Sequence, residues 1–460
     1  MAKRRYSQYS DSESEFLGLI PSHWNTTRLK NVSRHWVSSV DKHANDDEIP
    51  VRLCNYTDVY YHEFIDNGMP FMEATATREE IAKFRLSEGD VMITKDSEDW
   101  RDIAVPALVR STASDLVCGY HLALVRSSDS RLLPLFVFRL FQSGAMNRQY
   151  QIASNGVTRF GLPKQAIGEA VVPLPSVDEQ TAICTYIDAR TDIIDQLVEK
   201  KKRLIELLKE KRAALITQIA TRGFPPEEAK KHGLPVSRPM KASGIDWLGD
   251  LPEHWKVARL MYCTHVARPI MYGIVLPGPD VEDGVPIIKG GDVKPGRLSH
   301  KQVCRTTEEI ESKYVRSRVK KGDIVFSIRG TVGEAELVPE DLEGANITQD
   351  AARVSPSVDV CPKWLLFCLK ASAVIAPTLA LSLGAAVRGV NIRDLKRISI
   401  PLPPKEEQLA LVSYLDFKLC AIDELVKRTD TGIRKLLELR ESLITLAVTG
   451  MIDVRQEVIA

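Results

Sequence analysis

The sequence has almost no net charge and lacks long apolar runs. Its 62 lysine and arginine residues are nearly balanced by 61 aspartate and glutamate residues, so the net charge is +1. Proteins that coat nucleic acid through bulk charge carry a large positive excess, and this class is excluded. No run of about 18 apolar residues occurs, so no membrane-spanning helix is expected. The start, MAKRRYSQYSDSESEF, has no apolar segment behind its basic residues and is not a signal peptide.

Metal-binding and catalytic signatures are also missing. The 8 cysteines are scattered without a C-x-x-C pair, which argues against zinc and against a disulfide framework. Free thiols are typical of the reducing cytoplasm, where we expect this protein. Neither a G-x-x-x-x-G-K-[ST] phosphate loop nor an Asn-Pro-Pro-aromatic methyltransferase motif occurs. The sequence therefore predicts no catalytic residue, no metal site and no cofactor in this chain.

A long internal repeat dominates what is present. PSHWNTTRL at 21–29 returns as PEHWKVARL at 252–260, although the chain has only 6 tryptophans. Segments 173–221 and 401–449 are identical at 20 of 49 positions. Between these matched ends, over about 31–154 and 261–382, little similarity remains beyond EGDVMI and KGDIVF. Similar end segments around dissimilar central segments, which we call the frame and the variable regions, indicate a duplicated protein. Its two copies would do the same task on different targets.

Each half predicts a compact mixed domain followed by a long helix, so the fold class is α+β. Short β-rich segments and turns fill the variable regions. After PLP in each half, apolar residues recur at helical spacing over about 43 residues, with Leu208 and Leu436 at equivalent positions. Isolated rods would leave these apolar stripes in water, so the two helices are expected to pack on each other.

Four segments follow from this division. The first domain is predicted over residues 1–175 and the first long helix over 176–222. A connector rich in Pro, Gly and Lys leads into the second domain, together 223–403. The second long helix is predicted over 404–460.

The residues of this frame resemble the specificity subunits of type I restriction-modification systems. FLGLIPSHW, DWLGDLPEHW, PLPSVDEQ, PLPPKEEQ and the connector MKASGIDWLG carry the resemblance, which covers nearly the whole chain. It implies two target recognition domains, each reading one half of a bipartite double-stranded DNA site. It also implies that the helices form an antiparallel coiled coil with pseudo-two-fold symmetry, which sets the spacing between the half-sites.

The resemblance further implies partners that this chain would join in host defence. Two modification (methyltransferase) subunits would dock on the repeated frame, and restriction subunits with motor and nuclease activity would complete the complex. S-adenosylmethionine, ATP and magnesium would be bound by those partners, while this chain would be non-catalytic. Two alternatives stay open on the residues alone: a catalytic DNA-modifying or DNA-cutting enzyme, and a coiled-coil scaffold without a DNA role.

The frame and the flexible loops supply candidate residues. The two histidine–tryptophan pairs are expected to seat each variable domain on the helices, without a metal or catalytic role: His23, Trp24, His254 and Trp255. Arginine is the commonest reader of guanine, and Gly-rich segments let the backbone approach DNA. The predicted DNA contacts are Lys95, Ser97, Arg101, Asn155, Thr158 and Arg159 in the first half, and Ser327, Arg329, Thr331, Arg388 and Asn391 in the second.

Overall fold

The computed structural model describes residues 5–231, 239–382 and 389–455. The chain divides into two compact units. Unit 1 comprises Met1–Lys202 and Thr431–Ala460, and unit 2 comprises Arg203–Asp430. Unit 1 is therefore assembled from both ends of the chain, whereas unit 2 is one continuous segment. Each long helix contributes residues to both units.

Unit 1 combines short strands with five short helices and its share of the long ones. Its strands are β1 (Tyr9–Asp11), β2 (Leu19–Pro21), β3 (Asn25–Arg28), β4 (Ser33–Val37), β5 (Ile49–Cys54), β6 (Phe64–Ile65), β7 (Met72–Ala76), β8 (Val91–Thr94), β9 (Asp96–Ser97), β10 (Pro106–Val109), β11 (Leu116–Cys118), β12 (Leu122–Ser127), β13 (Phe160–Gly161) and β14 (Val171–Leu174). Its short helices are α1 (Tyr56–Tyr61), α2 (Arg78–Phe84), α3 (Pro134–Phe141), α4 (Gly144–Ala153) and α5 (Lys164–Glu169).

The first long helix, α6 (Val177–Arg222), leads from unit 1 into unit 2. The strands of unit 2 are β15 (Met240–Ala242), β16 (Asp250–Pro252), β17 (Lys256–Arg259), β18 (Met271–Tyr272), β19 (Val285–Ile288), β20 (Cys304–Thr306), β21 (Ile324–Ser327), β22 (Ala335–Leu337), β23 (Asn346–Ile347), β24 (Ala351–Val354) and β25 (Ser399–Leu402). Its short helices are α7 (Pro226–Lys231), α8 (Glu308–Glu311), α9 (Pro362–Lys370), α10 (Ser372–Ser382) and α11 (Ile392–Arg397), and the second long helix is α12 (Lys405–Val448). Single 3-10 turns lie at Leu29–Asn31, Leu260–Tyr262, Gly290–Asp292, Ser312–Ser317 and Glu340–Leu342.

Four strands of the larger sheet and all three of the smaller sheet have the same order in the two units, and β6 extends the larger sheet of unit 1. Unit 1 has a sheet of order β4-β12-β8-β10-β6 and a smaller sheet of order β11-β5-β7. Unit 2 has a sheet of order β18-β24-β21-β22 and a smaller sheet of order β20-β19-β23. Each smaller sheet contains one parallel and one antiparallel pair. The internal repeat therefore continues through the variable regions, although their sequences have diverged.

The similar segments EGDVMI and KGDIVF lead into equivalent strands, β8 in unit 1 and β21 in unit 2. All residues of β8 and β21 are buried, as expected for apolar runs covered on both faces. The preceding turns need the left-handed conformation of Gly89 (φ +87) and Gly322 (φ +83). The buried carboxylates of Asp90 and Asp323 close these turns, accepting backbone N–H groups at 2.6 and 2.8 Å.

The long helices run antiparallel within each unit. In unit 1, Arg440 Nε donates to Asp195 at 3.0 Å, and a Cβ at Gly432 would lie 3.1 Å from Lys201 Nζ. Residue numbers rise along one helix as they fall along the other, which confirms the predicted antiparallel pairing. In unit 2, Arg212 Nε donates to Asp423 at 3.0 Å.

The second long helix is shorter than its predicted segment. It ends at Val448 rather than at residue 460, because the chain turns at Gly450, which has φ +70. A Cβ there would lie 2.4 Å from Pro21 and 2.9 Å from Trp24, so this turn requires glycine. Helix α6 agrees closely with its predicted boundaries, 176–222.

The segment after Gly450 packs against the first described residues of the chain. The Tyr9 hydroxyl donates to the Gly450 carbonyl at 3.0 Å. The guanidinium of Arg455 lies 4.7 Å from the centre of the Tyr6 ring. Two apolar side chains of this segment join the core of unit 1: Ile452 and Val454. Both ends of the chain thus contribute to one core.

Among the described residues, no single helix is long and apolar enough to cross a membrane. One pair of helices, Pro362–Lys370 and Ser372–Ala380, meets the length and composition criteria jointly but is bent by 57°.

Candidate nucleic-acid interface

The repeated motifs meet at the start of each long helix. In unit 1, His23 Nε2 lies 2.9 Å from Glu179 Oε1, and Trp24 Nε1 donates to the same oxygen at 3.3 Å. In unit 2, His254 Nε2 lies 2.7 Å from Glu407 Oε2. The histidine of each pair thereby binds the first turn of the helix that follows its variable domain, and in unit 1 the tryptophan does so as well. Trp255 is fully buried, like its counterpart Trp24.

The glutamine after each of these glutamates holds the variable domain. Gln180 Oε1 accepts the backbone N–H of Leu133 at 2.8 Å, just before α3. Gln408 Oε1 accepts the backbone N–H of Cys361 at 2.8 Å, just before α9. We call each set of His, Trp, Glu and Gln a clasp. Sequence reasoning placed the acidic residues in a first helical turn but did not single out the glutamines.

In unit 1, strand pairing brings together candidate segments that lie far apart in sequence. Strands β9 and β13 are antiparallel partners, so the segment around Lys95 adjoins the segment around Arg159. Asn155 also pairs with Gly161 through two backbone hydrogen bonds, 3.0 and 2.8 Å long. Asn155, Thr158 and Arg159 are exposed. They form one surface with Lys95.

A histidine missed by sequence reasoning lies at the centre of this surface. His121 Nδ1 lies 2.5 Å from Asp96 Oδ2, and Arg159 Nη2 lies 3.3 Å from His121 Nε2. Lys95 Nζ donates to the same Asp96 oxygen at 2.9 Å. Burial favours a raised pKa for Asp96, but the hydrogen bonds from Lys95 and His121 outweigh it and hold the pKa below its ordinary value. We call these residues, with Tyr120, the Asp96 cluster.

Two other candidates in unit 1 are less available to DNA. Ser97 is buried, and its hydroxyl accepts the backbone N–H of Asp99 at 3.2 Å. Its predicted DNA contact is therefore not supported, because the hydroxyl accepts a hydrogen bond within the turn. Arg101 is exposed, but its guanidinium is held by Asp99 at 2.8 Å. Tyr120 is 46% exposed beside Lys95 and offers a ring face that could stack on a base.

In unit 2, Arg329 forms an isolated bridge with Gly389, at the place that β9 and β13 occupy in unit 1. Arg329 is exposed, and within the described ranges its guanidinium has no hydrogen-bond or ion-pair partner. Ser327 is fully buried and donates to the Arg329 carbonyl at 3.0 Å. It therefore cannot contact DNA as predicted. Thr331 is half-buried and donates to the Gly290 carbonyl at 2.9 Å.

The remaining candidates of unit 2 lie close to this bridge in sequence. Asn391 is exposed, but its side chain caps α11 by accepting the backbone N–H of Asp394 at 2.8 Å. Arg388 lies outside the described residues. A hydroxyl or amide looks the same in a sequence whether it caps a turn or faces solvent, so the sequence did not reveal these hydrogen bonds within the chain.

In the described part of the chain, no group of three or more His, Cys, Asp or Glu residues could hold a metal ion.

Comparison with known proteins finds a family model and relatives of one kind. Residues 280–430 match the family model described as the type I restriction modification DNA specificity domain. The type I restriction enzyme EcoBI specificity subunit of Escherichia coli is 27% identical over 298 residues, which cover 65% of this chain and 61% of that protein. The type I restriction enzyme MjaVIII specificity subunit of Methanocaldococcus jannaschii is 21% identical over 444 residues, or 95% and 94% of the two chains.

A solved structure has the same fold. It belongs to a study of complex assembly and conformational transition in the type I R-M system, and it matches with a TM-score of 0.63 at 17% identity. The match covers 93% of this chain and 98% of that chain. Two units with corresponding strand orders define a duplicated protein. The family match over residues 280–430 and the relatives make the chain similar to the specificity subunits of type I restriction-modification systems.

Proposed function

We propose that this chain selects the DNA sequence on which a type I restriction-modification complex acts. Each unit reads one half of a bipartite site in double-stranded DNA. One observation carries the proposal: the two units share a topology and a loop pairing, but the exposed side chains on these loops differ. Base edges are read by side chains, so one scaffold with two sets of side chains suits two different half-sites.

The long helices serve as the spacer between the half-sites and as the docking surface for two methyltransferase subunits. Apolar side chains at least 40% exposed lie along them: Ile193, Leu197, Leu437 and Leu439 in unit 1, and Leu204, Leu207, Leu409, Phe417 and Leu425 in unit 2. Exposed apolar groups on a helix pair favour contact with partner helices. Both units carry such groups, which supports one docking place in each.

The chemistry belongs to the partners. Methyltransferase subunits bind S-adenosylmethionine, and restriction subunits bind ATP and magnesium and supply the motor and nuclease. This chain contributes recognition without catalysis. Its 8 cysteines are all unpaired, which supports a place in the cytoplasm.

Co-production with the methyltransferase subunit, followed by sequencing of methylated bases in the host genome, tests this function. We expect one bipartite motif. Replacement of residues 31–154 by the corresponding segment of another specificity subunit should change one half of the motif and leave the other intact. A motif changed in both halves, or in neither, would contradict the assignment of one half-site to each unit. Methylation or cleavage by the purified chain alone would show that it is an enzyme.

A further inference from the structure

Backbone hydrogen bonds define equivalent positions in the two units. In unit 1, the N–H of Lys95 donates to the carbonyl of His121 at 2.9 Å. In unit 2, the N–H of Ile328 donates to the carbonyl of Asp350 at 2.9 Å. His121 and Asp350 therefore occupy the same place, directly before the strands β12 and β24.

A second backbone hydrogen bond, to the carbonyl of Lys95 or of Ile328, is also equivalent in the two units. The N–H of Leu162 donates to the Lys95 carbonyl at 2.8 Å, and the N–H of Val390 donates to the Ile328 carbonyl at 2.9 Å. The residue after Lys95 is Asp96 in unit 1, and the residue after Ile328 is Arg329 in unit 2. One backbone arrangement thus carries an acid in one unit and a base in the other.

Hydrogen-bond chemistry fixes the roles within the Asp96 cluster. A carboxylate only accepts, so His121 Nδ1, 2.5 Å from Asp96, carries the proton. A guanidinium only donates, so His121 Nε2 accepts from Arg159 Nη2 at 3.3 Å. Asp96 orients the ring, and the ring in turn holds an exposed arginine.

The backbone of His121 is strained in a way that fits this task. Its φ is +72, a left-handed conformation that only Glu13, Ala104 and His121 adopt among the described residues other than glycine. Such strain persists where the surroundings fix it, often at functional sites. Glycine adopts a positive φ more readily than histidine does. The imidazole is therefore present at a position whose backbone conformation favours glycine.

We propose that Arg159 and Arg329 are the guanine-reading residues of unit 1 and unit 2, and that Asp96 and His121 position Arg159. Arg159 directly precedes β13. Arg329 occupies the position equivalent to the first residue of β9. The arginine therefore lies on one strand of the pair in unit 1 and on the other strand in unit 2. The guanidinium fork matches guanine O6 and N7. The inference rests on the proposed function, because it assumes that the loops face DNA.

The test uses the full chain with its methyltransferase subunit and measures binding to duplexes that carry each base at each position of the motif. Arg159→Lys and Arg329→Lys keep the positive charge but lose the fork. We expect each to lose about 5- to 150-fold of the preference for guanine, in one half-site only and a different half-site for each variant. Binding to unrelated DNA should remain nearly unchanged.

His121→Gly tests the positioning role. It removes the imidazole at a backbone conformation that suits glycine, so the melting temperature should not fall, yet guanine preference should fall in the half-site of Arg159 alone. Glu13→Gly is the matched control: Glu13 is exposed in unit 1, has φ +58 and lies outside the cluster, so base preference should not change.

The outcomes separate the inference from the proposed function. No bipartite motif for the unmodified chain would refute the proposed function itself. A motif with unchanged base preference in the lysine variants and in His121→Gly would overturn the inference alone. So would a loss of affinity in Arg159→Ala and Arg329→Ala that is equal for all sequences and is absent in the lysine variants, since that pattern marks a phosphate contact. If His121→Gly lowered the melting temperature, the base preference of Asp96→Asn would test the positioning role instead.

Discussion

Glu179 and Glu407 combine two roles within one helical turn. Each lies in the first turn of a long helix, where the helix dipole stabilises a negative charge. Each also binds the histidine of its clasp. The carboxylate in the first turn of the helix therefore also binds the turn that contains the histidine–tryptophan pair, between β2 and β3 or between β16 and β17. The same residue type at both sites follows from these two roles.

Removing the Glu179 side chain should destabilise unit 1. Glu179→Ala leaves the buried N–H of Trp24 without its acceptor, and we expect a cost of about 1–3 kcal/mol in the free energy of unfolding, measured by chemical denaturation. Asp178→Ala is the control, because Asp178 lies in the same first turn but is exposed. Its loss should cost about 0.3–1 kcal/mol. If both substitutions lowered the free energy of unfolding equally, the hydrogen bonds of Glu179 would add nothing to its interaction with the helix dipole.

A buried glutamate paired with an exposed arginine in unit 2 predicts a dependence of stability on pH. Glu311 is 1% exposed and accepts from Arg318 Nε and Nη2 at 2.6 and 2.5 Å and from Asn346 Nδ2 at 2.9 Å. The hydrogen bonds from Arg318 lower the pKa of Glu311 below its ordinary value, against the effect of burial, and the bond from Asn346 adds to them. The folded state thus binds this proton less readily than the unfolded chain.

The stability from Glu311 is therefore fully present above the ordinary glutamate pKa of about 4.3 and is lost as the pH falls through the lower pKa of the folded state. We expect Glu311→Gln to flatten the fall in the melting temperature of unit 2 below about pH 4.3. Glu309→Gln, an exposed acid on the same short helix, serves as the control. The idea fails if both variants show the acid sensitivity of the unmodified chain.

Among the elements, the long helices were the easiest to predict. Their apolar periodicity extends over many turns and appears twice, so chance matches are rare. The strand pairs of the reading loops were harder, since the partners β9 and β13 lie far apart in sequence and each is two residues long. The pairing of Asp96 with His121 depends on this tertiary arrangement, and no local pattern marks it.

Equivalent positions on the two helices should respond differently to a charge. Leu208 is 8% exposed within the core of unit 2, whereas its repeat counterpart Leu436 is half-buried in unit 1. Leu208→Asp should cost several kcal/mol, because it places an unpaired carboxylate in an apolar core. Leu436→Asp should cost clearly less, since water reaches its side chain. Calorimetric melting of both variants tests this order, and equal losses would contradict it.

At the scale of the molecule, unit 1 depends on the segment after the second long helix. Truncation after Gly450 removes the buried Ile452 and Val454 and the Arg455 contact with Tyr6. We expect faster hydrogen exchange across residues 5–202, while residues 203–430 stay protected. Truncation after Arg455 is the control. Uniform loss of protection in both units would show that the effect is not confined to unit 1.

The division of the chain also sets an order of events during its synthesis. Unit 2 is complete when residue 430 has left the ribosome, but unit 1 still lacks Thr431–Ala460, which includes its second helix and the turn at Gly450. The domain translated first is thus the last to close. A chain released early would carry a finished second reader beside an open first one. Unit 1 closes only once the segment through Arg455 has been made, so a closed unit 1 reports that translation has passed this point.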